Sequence, residues 1–276
     1  LSNEIALMTQ RAIAASVIAL LSMAPAHAQG DARAAAREVA RKWQAAIVNV
    51  RVVLKTRTSM AGRELQSSDE TVEGIGTVID PSGLMVMSLG VLNPGAMMTK
   101  LMGSMGGGMG DQKMEITSEP TDLKMRLPDG KEVAAKIVLR DQDLDLAFIR
   151  PVARLDAPLV AVNLADSGTP AMLDQVVVLS RLGRVGGWAP GAALHEIGAI
   201  IERPRTFFVL GTPASSIGVP AFLPNGRIIG LLTLRQIDAG RPGMMSMMGG
   251  TESLGLLPVI LPASDVLEIS KQAGEQ

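Results

Sequence analysis

At 276 residues the chain is long enough for one large all-β domain of about 200–250 residues or for two small domains, each with a sizeable core. Hydrophobic residues make up 47% and aromatics only 2%, with no tyrosine, so Val, Ile, Leu, Ala and Met must build that core. Reading of nucleic acid by aromatic stacking is disfavoured. The 26 basic and 27 acidic residues leave a formal charge of −1, which gives no pull toward a polyanion or a membrane surface.

Residues 1–28 comprise upstream residues followed by an export signal. From Met8, "MTQRAIAASVIALLSMAPAHAQG" has one Arg, a short apolar run and then Ala26-His27-Ala28, an A-x-A cleavage pattern. The apolar run is shorter than the ~20 residues a spanning helix needs, so removal after Ala28 leaves no expected membrane insertion. The expected location is periplasmic or secreted. Without cysteine, such a protein has neither disulfides nor thiol chemistry.

Residues 29–46 contain an Ala-rich, Arg-dotted segment that predicts one helix over 31–46, with Asp31 as its N-cap. From Ile47 the texture changes to short β-branched runs at 47–56, 76–80, 84–89, 124–127, 132–141, 146–150, 159–164, 175–180, 196–202, 206–211, 227–234 and 256–261. "DPSG", "LPDG" and "LPNG" between them carry the residues tight turns require. Strands at this spacing, without intervening helical patterns, predict an all-β barrel or sandwich over 47–272. A short helix over 264–272 closes it.

Four segments in order point further: "GIGTVIDPSGLMVMSLGVL" (74–92), "LPDGKEVAAKIVLRDQDLDLAFIRP" (127–151), "PNGRIIGLL" (224–232) and "VILPAS" (259–264). Together they resemble the trypsin-like domain of HtrA-type (Deg-type) serine proteases, over nearly all of 47–271. The resemblance implies a double six-stranded β-barrel with the catalytic groups between the barrels. The residues after Lys271 are too few for the peptide-reading PDZ domain common in that family, so none is expected there.

Carried over residue by residue, the resemblance places the catalytic histidine on Gly90, the aspartate on Asp145 and the serine on Ile217 of "SSIGVP". A serine hydroxyl needs a base to take its proton, and the base needs a third group to orient it. Losing the serine or the histidine in an enzyme of this mechanism lowers turnover about 10⁶-fold, roughly 8 kcal/mol of barrier. Asp145 alone does not supply that.

Ser216 is the alternative nucleophile, but a shift of one residue along an extended loop turns a side chain elsewhere, and it too needs a base. The one histidine after Ala28 is His195, on the predicted strand "LHEIGAIIE". The resemblance implies a damaged oxyanion hole as well, its flexible pair now being Gly218-Val219. Gly74, Gly76 and Gly83 read as turn or strand-start glycines.

Methionine is concentrated in two Gly-rich segments, 94–114 with six and 240–252 with four. Three readings stay open. They form an adaptable apolar surface for a protein or peptide; or thioethers of Met97, Met98, Met102, Met105, Met109, Met244, Met245, Met247 and Met248 hold Cu(I); or they are tolerated filler.

The expectation is an exported, inactive trypsin-like pseudoprotease acting as a scaffold or chaperone-like module on envelope proteins or peptides. No cofactor and no nucleic acid are expected, and a homo-oligomer is compatible. The alternative is a serine-type peptidase or hydrolase with rearranged catalytic residues.

Overall fold

A computed structural model of the chain describes residues 24–60, 62–96, 98–99, 114–214, 216–236 and 256–274. Helix α1 (Ala24–Trp43) and a 3-10 turn (Gln44–Ala46) lead into β1 (Ile47–Met60), β2 (Arg63–Val78), β3 (Met85–Ser88), β4 (Met114–Arg126), β5 (Glu132–Asp141) and β6 (Leu146–Pro151). After a connecting segment come β7 (Gln175–Arg181), β8 (Pro190–Ile201), β9 (Phe207–Leu210), β10 (Pro220–Phe222), β11 (Ile228–Gln236), β12 (Leu256–Pro262) and helix α2 (Ala263–Gly274). The strands close into two antiparallel barrels of six, ordered β1-β2-β3-β6-β5-β4 and β10-β11-β12-β9-β8-β7. The expected double barrel with a helix at each end is the observed fold.

Alternation along the strands sorts the apolar side chains. On β7, Val176 and Val178 face the core of the second barrel, while Val177 and Leu179 join the larger core that runs from the first barrel across the junction. In β3, by contrast, Met85, Val86 and Met87 are all buried, because both faces of this short strand are covered. A continuous apolar run is the sequence image of such a strand. All four phenylalanines are buried, so the few aromatics serve the core.

The three turn signals are realised alike: Gly83 N donates to Asp80 O at 2.9 Å, Gly130 N to Leu127 O at 2.9 Å, and Gly226 N to Leu223 O at 2.9 Å.

Several sequence expectations change. Helix α1 begins at Ala24, so Asp31 lies inside it instead of capping it. Pro25 is in the first turn, where its missing N–H has no intrahelical partner to lose. The expected cleavage point after Ala28 therefore falls within α1. The apolar run 159–164 is no strand but part of the connection between barrels. Leu159 N donates to Pro81 O and Val162 N to Val78 O, each at 2.9 Å, which buries Val162 and Leu164 without a ladder.

Conversely, β2 starts at Arg63 and β4 at Met114, well before their expected starts. Their outer halves are polar, and pairing with β1, from Ile47↔Thr77 to Met60↔Arg63 on one side, holds them extended. Pro120 is tolerated in β4 because the register shifts there, Val53 facing Asp122 and Leu54 facing Pro120. Gly74 and Gly76 lie within β2, not at its start. A Cβ on Gly74 would come within 2.8 Å of Cγ1 of the β-branched Val91, so close packing favours glycine there.

Candidate functional site

The first barrel contributes a carboxylate and a glycine turn. β3 ends at Ser88, where a 3-10 turn, Leu89–Val91, carries Gly90. Opposite it, the β5–β6 connection delivers Asp145, whose φ of 56° is in the left-handed region that Asp tolerates better than most residues. Ser88 pairs in register with Leu146, which brings Asp145 beside the turn. Leu89 N donates to Asp145 O at 3.0 Å, Gly90 N to Asp145 Oδ1 at 2.7 Å, and Ser88 Oγ to Asp145 Oδ2 at 2.5 Å. The aspartate is thus fastened to Ser88–Gly90 through its backbone and both carboxylate oxygens.

The second barrel contributes the loop before β10. Gly218, at φ +78°, lies against the first barrel so closely that a Cβ there would come within 2.9 Å of Ile75 O and Ser88 N. Thr77 Oγ1 donates to Gly218 O at 3.2 Å across the junction, and Gly218 N donates to Leu232 O at 2.7 Å. The loop bearing Ile217 therefore abuts the turn bearing Gly90. Three positions far apart in sequence, Gly90, Asp145 and Ile217, belong to one neighbourhood where the barrels touch. The Gly218 N–H is committed to a carbonyl of β11.

Ser216 is half-buried beside Ile217. His195 is on β8, and its Nδ1 lies 2.9 Å from Thr212 Oγ1, at the start of the same loop. Desolvation by burial lowers the imidazole pKa below its usual 6.5, opposed by a hydrogen bond from the ring to the Thr212 backbone. That threonine–histidine contact was not foreseen from the sequence.

Ser88 was also missed, although it stands two residues before Gly90 and so faces the same neighbour. Thr77 gave no sequence signal, because its partner is 141 residues away.

Of the methionines considered as thioether ligands, only Met98 is within the described residues, and it is exposed at 47%. Met97, Met102, Met105, Met109, Met244, Met245, Met247 and Met248 lie outside them. The first Met segment departs from the Gly90 turn, where Leu92 N and Asn93 N both donate to Leu89 O, and Thr99 Oγ1 ties its beginning to Ile116 of β4. Among the described residues, no three His, Asp or Glu side chains form a group able to hold a metal ion. No described helix is long and apolar enough to cross a membrane.

Two closed six-stranded antiparallel barrels, with a carboxylate turn and a glycine loop meeting at their junction, are consistent with a trypsin-like fold. The chain matches no protein-family model and no curated protein.

Proposed function

We propose that the chain is an HtrA-type pseudoprotease: an exported trypsin-like module that binds envelope proteins or peptides without cutting them, as a scaffold or chaperone-like partner. The observation that carries this reading is the state of Asp145. Its carboxylate is taken up by the Ser88 hydroxyl and the Gly90 N–H, and position 90 offers no imidazole for it to orient. With Ile217 at the nucleophile position, the site retains the orienting group of a triad and lacks the two groups it would orient.

The purified protein is expected not to hydrolyse casein or peptide esters and not to react with a fluorophosphonate probe. Ile217→Ser is expected to remain inactive, because a nucleophile without a base gains little. Hydrolysis by the unaltered protein, or stoichiometric labelling at Ser216, would overturn the reading.

A second reading rests on His195 and Thr212. An imidazole nitrogen 2.9 Å from a hydroxyl is the first half of an activated nucleophile, and it supports a hydrolase with rearranged residues. Probe labelling at Thr212, abolished by His195→Gln, is the result that would establish it.

A further inference from the structure

A cavity of about 150 Å³ lies where the start of β1, the β4–β5 turn and the β7–β8 hairpin meet, with both barrels forming its wall. Its polar lining includes Arg126, Arg181 and Trp188. Arg181 Nε donates to Ile47 O at 2.7 Å, Nη1 to Trp188 O at 3.0 Å and Nη2 to Gln44 O at 2.9 Å. Carbonyls satisfy N–H groups but do not neutralise charge. Among the described residues no carboxylate pairs with Arg181.

Arg126 is hardly better compensated. Its Nη1 is 3.9 Å from Glu132 Oε1, but the other oxygen of that carboxylate is 3.0 Å from Arg51 Nη2. Three guanidinium groups therefore have one carboxylate between them. Asp129, on the same turn, accepts from its own turn's Lys131 N at 2.9 Å. A cavity wall with surplus positive charge and half-buried cations calls for an anion.

Trp188 is the second observation. Its φ of 56° is left-handed, a conformation that costs a bulky residue on the order of 1–3 kcal/mol. In that conformation its carbonyl faces Arg181, and its ring lies 3.9 Å from Arg126 Cζ. One strained residue thus aligns both guanidinium groups on the wall of the same cavity.

We propose that this cavity is a binding site for a small oxyanion, a phosphate or a carboxylate, held between Arg126 and Arg181. Arg181 keeps two of its five N–H donors beyond the three carbonyl bonds, and a guanidinium fork matches the planar spacing of oxyanion oxygens. The space exceeds the ~30 Å³ share of a water molecule several-fold, enough for phosphate or a short dicarboxylate. Bound there, the anion bridges the β4–β5 turn of one barrel and the β7–β8 hairpin of the other. This site is separate from the Asp145 neighbourhood and does not depend on the pseudoprotease reading.

Trp43→Phe keeps a ring in the helix and leaves Trp188 as the sole tryptophan of the two. This variant is titrated with sodium phosphate, and separately with sodium succinate, against sodium chloride at equal ionic strength. The expected result is a saturable change in Trp188 emission and a rise in melting temperature with phosphate or succinate, absent with chloride. Arg126→Gln is expected to weaken that binding at least tenfold. Response to only one of the two oxyanions supports the site and narrows its class. Equal response to chloride, a change that never saturates, or undiminished affinity in Arg126→Gln overturns it. If Trp43→Phe does not fold, calorimetric titration of the unaltered protein and of Arg126→Lys gives the same decision, the lysine variant being expected to bind more weakly.

Discussion

Asp145 ties two strands together through one side chain. Its carboxylate accepts from Gly90 N at 2.7 Å and Ser88 Oγ at 2.5 Å, so it fastens the end of β3 to the beginning of β6. Asp145→Ala leaves the Gly90 N–H without an acceptor and puts alanine at φ 56°, and is expected to cost about 2–4 kcal/mol in urea unfolding. Asp145→Asn keeps an oxygen for Gly90 and tolerates the left-handed backbone, while the Ser88 hydroxyl can turn to accept from the amide. Its expected cost is about 1 kcal/mol. Equal losses in the two variants would show that the charge, not the acceptor oxygen, secures the turn.

His195 makes a pH prediction. Burial depresses its pKa in the folded chain, so the unfolded chain takes up the proton first as pH falls. The stability it contributes is complete above about pH 6.5 and declines as pH drops through that value toward the folded pKa. Because the ring is only partly buried, the decline is small. It is measured as the difference in urea midpoint between the parent and His195→Gln from pH 7.5 to pH 5, and an identical slope in both would refute it.

The secondary elements divide by how they are held. Helix α1 buries Val39 in the core, and Trp43 secures it to the second barrel: the indole stacks on Phe222 with ring centroids 6.0 Å apart and planes 5° from parallel, and its Nε1 donates to Gly226 O at 3.3 Å. Trp43→Ala is expected to lower stability by about 3 kcal/mol, while Trp43→Phe, which keeps a ring against Phe222, is expected to recover most of that loss. If both melt like the parent, the helix is not part of the cooperative unit. The long strands β2 and β4 are held differently. Their outer halves have no apolar alternation to announce a strand, and they are extended because β1 runs between them.

Across the whole molecule, the proposed binding function leaves the two Met-rich segments to be tested together. Deleting residues 97–109, or replacing Met244, Met245, Met247 and Met248 by Ser, should reduce capture of envelope proteins while the melting temperature stays within a few degrees. Mild oxidation of the unaltered protein should do the same, since methionine sulfoxide is polar. Loss of Cu(I) uptake in place of partner capture would establish the metal reading, and no change in either would leave the segments as filler.

What the sequence by itself determined is local and periodic. Apolar runs between turn signals announced most strands, and "DPSG", "LPDG" and "LPNG" announced turns that form as expected, because each needs only neighbours within a few residues. The absence of histidine at position 90 and of serine at 217 is likewise a property of the sequence alone. Tertiary structure decided the rest. It extended the polar half of β2, denied 159–164 a ladder, and set Ser88 on Asp145 and Thr212 on His195. It also brought Arg126, Arg181 and Trp188 to one cavity from positions up to 62 apart in the numbering. These outcomes depend on which segments lie side by side after two barrels close. No window of sequence contains that, because hydrogen bonds and charge compensation depend on distance in space.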